Sequence, residues 1–242
     1  MLRRPPLRFT HDFKADLAAL VKRIYDGPPV AFTKFADGER LLIDGVPHQL
    51  RKAFEEWDSG DAPIASRIND ALEADLPGYH VGISCPCCSD SSGYKHGVAD
   101  WEFYRSRVTM DLDRITFANI FVNSNYPKWL DAVRGMRTTL VSSSAMSLPE
   151  FRVPKNAVNT DWDIDGLVTR LGDEKHVRPI FVAAGPTGCV IVHEYWKRYG
   201  NRTIIDVGST LDPFIHKAAT RGYHDPQSPN RNKTCEWDLK AT

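Results

Sequence analysis

The sequence has no apolar run near the roughly 18 residues that a membrane-crossing helix needs, so no membrane span is expected. It also has no excess charge of one sign: Lys plus Arg total 31, and Asp plus Glu total 31. That balance removes a global attraction to nucleic acid or an anionic bilayer, while leaving room for a local basic patch. The opening MLRRPPLRF is basic but lacks the apolar core of a signal peptide, which makes a cytoplasmic location the default. Cysteine is scarce and odd in number, five in 242 residues, with three crowded into CPCC at 85–88. A disulfide framework is therefore not expected; reduced thiols or a bound metal are. Internal repeats and linker-like stretches are missing too. One α/β domain over 1–242 is expected, since a chain this long buries about 70–75% of its unfolded surface without staples.

What is present is an alternation of apolar strands with amphipathic helices. Phe13, Leu17, Leu20, Val21 and Ile24 recur at helical spacing, with Thr10 as candidate N-cap. VAFTKFA (30–36) reads as a buried strand and GERLLIDG (38–45) as a short helix. Residues 48–58 and 63–75 read as two further helices. YHVGIS (79–84), ITFANIFVN (115–123), TTLVSS (138–143), RPIFVAA (178–184) and RTIIDVGS (202–209) read as strands, with a short one near Phe151–Val153. Helices are expected over 99–110, from Pro127, over 163–173, and after Gly185. The pattern predicts a Rossmann-like, mostly parallel sheet with helices on both faces. Residues 210–242 show little periodicity. With Arg221, Tyr223, His224, Arg231 and Lys233 they suit a lid or acceptor loop, or else a disordered tail, although Trp237 suggests that part of them docks.

In such a sheet ligands bind beyond the carboxyl ends of the strands. Three strand ends carry unusual chemistry. Gly185-Pro186-Thr187-Gly188 enters a helix, whose free N–H groups and dipole suit a diphosphate; it lacks the Lys-Ser/Thr of a P-loop, and a plain structural turn explains it equally. Asp37-Gly38-Glu39 places two acids at a helix start. They favour the helix dipole there by about 0.3–1 kcal/mol, or they hold a divalent cation that bridges to phosphate oxygens. Asp206-Val207-Gly208-Ser209 closes the last strand, where Asp206 is either a capping group or a ligand-binding acid.

FTKFADGE, GYHVGIS, ANIFVN and RPIFVAAGPTGCVIVHEYWKRYGNRTIIDVGS, in that order over roughly residues 28–215, resemble the GT-D glycosyltransferases. The first and last blocks are the specific ones. That family commonly has Arg where Lys34 stands and His where Ser209 stands. The resemblance implies a sugar-nucleotide donor, usually a UDP-sugar, with Mn²⁺ or Mg²⁺ on Asp37 and Glu39 stabilising the departing diphosphate. It places Lys34, Gly38, Gly185, Pro186, Thr187, Gly188, Gly208 and Ser209 in the donor site, and Asp206 against a sugar or ribose hydroxyl. The acceptor is a hydroxyl on a glycan, protein, lipid-linked sugar or modified nucleic acid. It needs a base, for which Glu39, Asp206 and His216 are candidates.

Two rival functions remain at this level. IIDVGS is similar to the first glycine-rich strand of S-adenosylmethionine-dependent methyltransferases, although that strand normally opens its fold. CPCC suggests a non-catalytic, zinc-stapled module: Cys85 and Cys88 have C-x-x-C spacing, and His96 and Cys235 could complete a tetrahedral site. Reduced loop cysteines and a redox dithiol are the alternatives to zinc.

Overall fold

The computed structural model describes residues 7–52, 55–87, 97–144, 146–148 and 151–235. Its centre is a six-stranded sheet in the order β5-β4-β1-β8-β7-β6, every neighbouring pair parallel. The strands are β1 (Ala31–Lys34), β4 (Tyr79–Ile83), β5 (Ile115–Phe117), β6 (Thr139–Ser142), β7 (Ile180–Ala183) and β8 (Ile204–Asp206). The first half of the chain steps outward from β1 to β5. The second half starts at the far edge with β6 and steps inward, so that β8 pairs with β1 (Ala31 with Ile204). The first and last strands thus meet at mid-sheet, where the order of winding reverses.

Alternation along each strand feeds two apolar layers. Ala31, Val81, Val182 and Ile204 join one layer with α2 (Asp37–Asp44), α3 (Ala65–Glu73), α4 (Gly97–Arg107), α6 (Ile164–Asp173) and α7 (Thr187–Arg198). Phe32, Phe181 and Ile205 join the other with α1 (Phe13–Asp26) and α5 (Tyr126–Val133). Burial on both faces explains why these strands read as near-continuous apolar runs. In the second layer Phe32 and Phe121 pack edge to face at 5.4 Å.

Several sequence expectations are corrected. The N-cap of α1 is Asp12, whose carboxylate accepts from the Lys14 and Ala15 N–H groups, not Thr10. Thr10 instead donates its hydroxyl to Asp16. Residues 48–58 form no helix: β2 (Gln49–Arg51) and β3 (Glu56–Asp58) make an antiparallel pair with Leu50 opposite Trp57. The expected strand over 115–123 stops at Phe117, whose carbonyl accepts the Ile120 N–H at 3.1 Å in a turn; Asn123, at φ 54°, then opens a 3₁₀ turn into α5. Around Phe151–Val153 a single bridge, Ser142 to Arg152, replaces a strand.

Candidate functional site

The carboxyl ends of β1, β7 and β8 lie side by side, and the loops that leave them build one site. After β1 the chain enters α2 at Asp37. Ala36 offers no side-chain acceptor, so Glu39 turns back and accepts the Ala36 N–H at 2.8 Å. This is the return half of a capping box. Gly38 beside it faces both Trp57 of β3 and Pro186: a Cβ built there would lie 3.5 Å and 3.8 Å from their side chains. The Asp-x-Glu turn, the glycine turn and the hairpin therefore meet.

After β7, Gly185 has φ +54°, and a Cβ there would stand 2.5 Å from the Glu55 carboxylate. The left-handed φ is what calls for glycine here, since Glu55 could swing aside. Glu55 in turn accepts the Trp57 indole N–H at 2.9 Å. The expectation that residues near 55 belong to an outer helix is thus overturned; Glu55 sits beside the glycine turn. Gly188 of α7 faces Asp206, whose carboxyl carbon would be 3.4 Å from a Cβ, an ordinary contact. Cys189, one residue on, is buried and donates its thiol to the Pro186 carbonyl at 3.0 Å.

After β8, Asp206 is buried and accepts the Gly208 N–H at 2.9 Å. Gly208, at φ +51°, leaves room for the Lys34 ammonium, which a Cβ would approach to 2.2 Å. Lys34 therefore faces the loop that follows Asp206. Ser209 shares a hydrogen bond of 2.8 Å with the Tyr223 hydroxyl. The His224 ring reaches the Ser209 carbonyl through Nε2 at 3.0 Å, while its Nδ1 accepts the Thr220 and Arg221 N–H groups. The segment after β8 is therefore docked through residue 235, and Tyr223 and His224 pack on Tyr126 of α5. Trp237 lies outside the described residues.

The electrostatics are unusual for a turn. Burial pushes the Glu39 carboxyl up to about 7, against hydrogen bonds from the Ala36 and Glu39 N–H groups, and the charges of Asp206 and Asp37 push further. Burial also raises Asp206, opposed by Lys34 and by the N–H groups of Gly208 and Lys34. Cys189 and Tyr104 are raised well above their ordinary values by burial, and both feel the Glu39 charge. The Tyr104 hydroxyl donates to the Ala36 carbonyl. Lys52, its pKa lowered first by burial, also feels the charges of Arg221, Glu55, Asp37 and Asp212. His216, a candidate base from sequence, instead faces Asp212 at 4.0 Å with its side chain buried.

Asp37 is exposed at the first position of α2, and Glu39 lies part-buried two residues on. Carboxylate oxygens alone suit a hard dication; the rise at Glu39 comes first from burial, with the Asp206 and Asp37 charges adding to it. Among the described residues, the donors grouped tightly enough to enclose an ion are thiols, not these acids. A cation on Asp37 and Glu39 would therefore need further oxygens, such as those of a phosphate and water, which is the usual pattern for Mg²⁺.

The thiols form a separate cluster. Cys85, just past β4, lies with Cys87 and Cys235 so that all three sulfurs are within 4.8 Å of one another. Of the expected zinc set, Cys85 and Cys235 are brought together, Cys87 joins them, and Cys88 and His96 lie outside the described residues. Lys52, Glu55 and Trp57 gave no signal in the sequence, because β2 and β3, Gln-Leu-Arg and Glu-Trp-Asp, hold no apolar run. Sequence reasoning also missed Tyr104 and Cys189, whose helical positions read simply as core.

No protein-family model matches the sequence, and no curated protein matches it. Solved structures do. One, described as a new glycosyltransferase (DUF1792) from Streptococcus sanguinis, is 14% identical with a TM-score of 0.56, over 97% of this chain and 95% of that one. Another, described as a highly conserved domain of unknown function 1792 with a distinct glycosyltransferase fold, is 16% identical with a TM-score of 0.55, over 93% and 91%. At such identities the likeness is one of fold. No described helix is long and apolar enough to cross a membrane.

Proposed function

We propose that the chain is a glycosyltransferase that moves a sugar from a nucleotide-sugar donor, a UDP-sugar, to an acceptor hydroxyl, with Mn²⁺ or Mg²⁺ held by Asp37 and Glu39. The observation that carries this reading is the convergence of Asp37, Glu39 and Asp206 with the Gly185–Gly188 turn at mid-sheet, where the Glu39 carboxyl is raised to about 7. The fold shared with structures described as glycosyltransferases supports it. When bound, the dication supplies positive charge for the departing diphosphate.

The chain's own groups do the rest. Gly185 and Gly188 expose backbone to the ligand, and the N-terminus of α7 offers its free N–H groups to phosphate oxygens. Lys34 adds a fixed cation between the loops after β1 and β8. Asp206, held by the Gly208 N–H, orients a sugar or ribose hydroxyl. Ser209, fixed by Tyr223, bounds the same pocket. Trp57, whose ring would lie 3.5 Å from a Cβ on Gly38, bounds the site on the side of the hairpin.

A methyltransferase would need its glycine-rich strand at the start of the fold, whereas β8 is the last strand among the described residues. Thermal shift separates the two. A UDP-sugar with Mn²⁺, at about 100 times its dissociation constant, should raise stability by about 2.7 kcal/mol. Neither component alone should do as much. Stabilisation by S-adenosylmethionine, with none from any sugar nucleotide, would overturn the reading.

A further inference from the structure

We propose a zinc site formed by the thiolates of Cys85, Cys87 and Cys235, separate from the carboxylate site, which pins the C-terminal segment to the end of β4. The three sulfurs lie within 4.8 Å of one another, although Cys235 comes 148 positions after Cys87 in the chain. Tetrahedral zinc with bonds of about 2.3 Å spaces its sulfurs roughly 3.8 Å apart, so the cluster closes on an ion with small side-chain adjustments. Cys85 and Cys87 are 3.0 Å apart, well beyond a bonded sulfur pair of about 2.05 Å. Cys85 and Cys235 are buried, and Cys87 is the more open of the three.

Two further contacts fit a metal thiolate. The Asn119 amide donates to the Cys235 sulfur at 2.8 Å, and such outer donors orient ligands and offset thiolate charge. Next to Cys235, the Thr234 hydroxyl meets Ser124 at 2.9 Å, and the Ser124 N–H donates to the Lys233 carbonyl at 3.0 Å. These bonds present Cys235 to the loop after β4. Each thiol gives up its proton to bind, so affinity rises with pH. A soft, sulfur-only donor set selects zinc over the hard cation expected at Asp37 and Glu39. An ion on three thiolates keeps one position for a further donor.

The consequence reaches the proposed donor site. Cys235 lies on the same segment as Tyr223 and His224, which hold Ser209 and its loop. Losing the pin would loosen that wall without touching Asp37, Glu39 or Asp206. The inference does not depend on the sugar-transfer reading, because its measurement is metal content.

The test is zinc stoichiometry by elemental mass spectrometry on the full chain, together with Co²⁺ substitution followed by its sulfur-to-metal charge-transfer absorption. Wild type should carry one equivalent of zinc, and the cobalt form should show thiolate bands. Cys87→Ser, at the most open position, should fold and lose at least tenfold in Zn²⁺ affinity; Cys235→Ser should do the same. Cys189→Ala, a buried cysteine outside the cluster, should keep its zinc. Folded wild type that binds neither Zn²⁺ nor Co²⁺ would overturn the proposal. So would zinc retained at full affinity in both serine variants, or a disulfide among the three in metal-free wild type.

Discussion

Glu39 shows how one residue serves two ends. Its carboxylate completes the start of α2 by taking the Ala36 N–H, and burial with two acidic neighbours leaves it short of positive charge. The helix-start reading and the cation reading of the Asp-x-Glu pair, both open in the sequence, are therefore compatible at Glu39. What the sequence could not show is the third acid: Asp206 is 167 residues further on (206 − 39), and only the β1–β8 pairing brings it near. His224 carries a pH dependence within the segment that walls the site. Burial lowers its pKa to about 4 despite the Ser209 carbonyl, which favours the charged form, and the charges of Arg221 and Arg231 lower it further. Its Nδ1 must stay unprotonated to accept two backbone N–H groups. A histidine with its folded pKa depressed from 6.5 stabilises the fold above about 6.5, and that stability is lost as pH falls through about 4. His224→Leu should cost about 1–3 kcal/mol at pH 7.5, by leaving those N–H groups without their acceptor. The wild-type excess should shrink between pH 6.5 and 4. Urea melts of both proteins across that range check it; a gap that stays constant with pH would assign the loss to packing alone.

Among the elements, those set in apolar runs were legible, the three-residue β5 and β8 included, and those without such runs were not. The helix after Gly185 and the strand before it follow directly from an apolar run, a glycine turn and helical spacing, and α7 runs from Thr187 to Arg198 as expected. The pair β2–β3 was not legible, because neither strand holds an apolar run and the intervening turn lacks a strong glycine signal. That miss hid Trp57 and Glu55, both of which touch the glycine-bearing turns of the site. Within α7, Tyr195 and Trp196 lie more than two turns from the N-terminus, over 10 Å at about 1.5 Å per residue. Trp196 is buried and donates its indole N–H to the Pro77 carbonyl at 2.9 Å; Tyr195 donates to Asn201 at 2.8 Å. Both hold the helix to the sheet and neither faces the Gly185 turn. Trp196→Ala should lower stability by about 3–5 kcal/mol in chemical denaturation. Donor affinity should survive at temperatures where the variant is folded; a stable variant without donor affinity would move Trp196 into the site.

For the whole molecule, the parallel sheet with helices on both faces was legible because buried strands leave continuous apolar runs between amphipathic segments. Strand order was not, since nothing local in β1 or β8 says that the first and last strands are neighbours. That neighbourhood makes the site: it sets Asp37 and Glu39 after β1 against Asp206 after β8, with the β7 turn alongside. The segment after β8 was legible only as polar and aromatic, because its docking depends on long-range contacts to Tyr126, Ser124 and Asn119. The account stands on one claim, that Asp37 and Glu39 serve a cation that joins the donor to the protein. Calorimetric titration of a UDP-sugar, with and without Mn²⁺, tests it most directly in wild type, Asp37→Asn, Glu39→Gln and, as a control on an exposed helix end, Glu73→Gln. Wild type and Glu73→Gln should bind at least tenfold tighter with Mn²⁺, whereas both motif variants should fold, lose that metal dependence and turn over slower by orders of magnitude. Unchanged metal dependence and near-wild-type turnover in Asp37→Asn and Glu39→Gln would leave the two acids as a helix start and contradict the account.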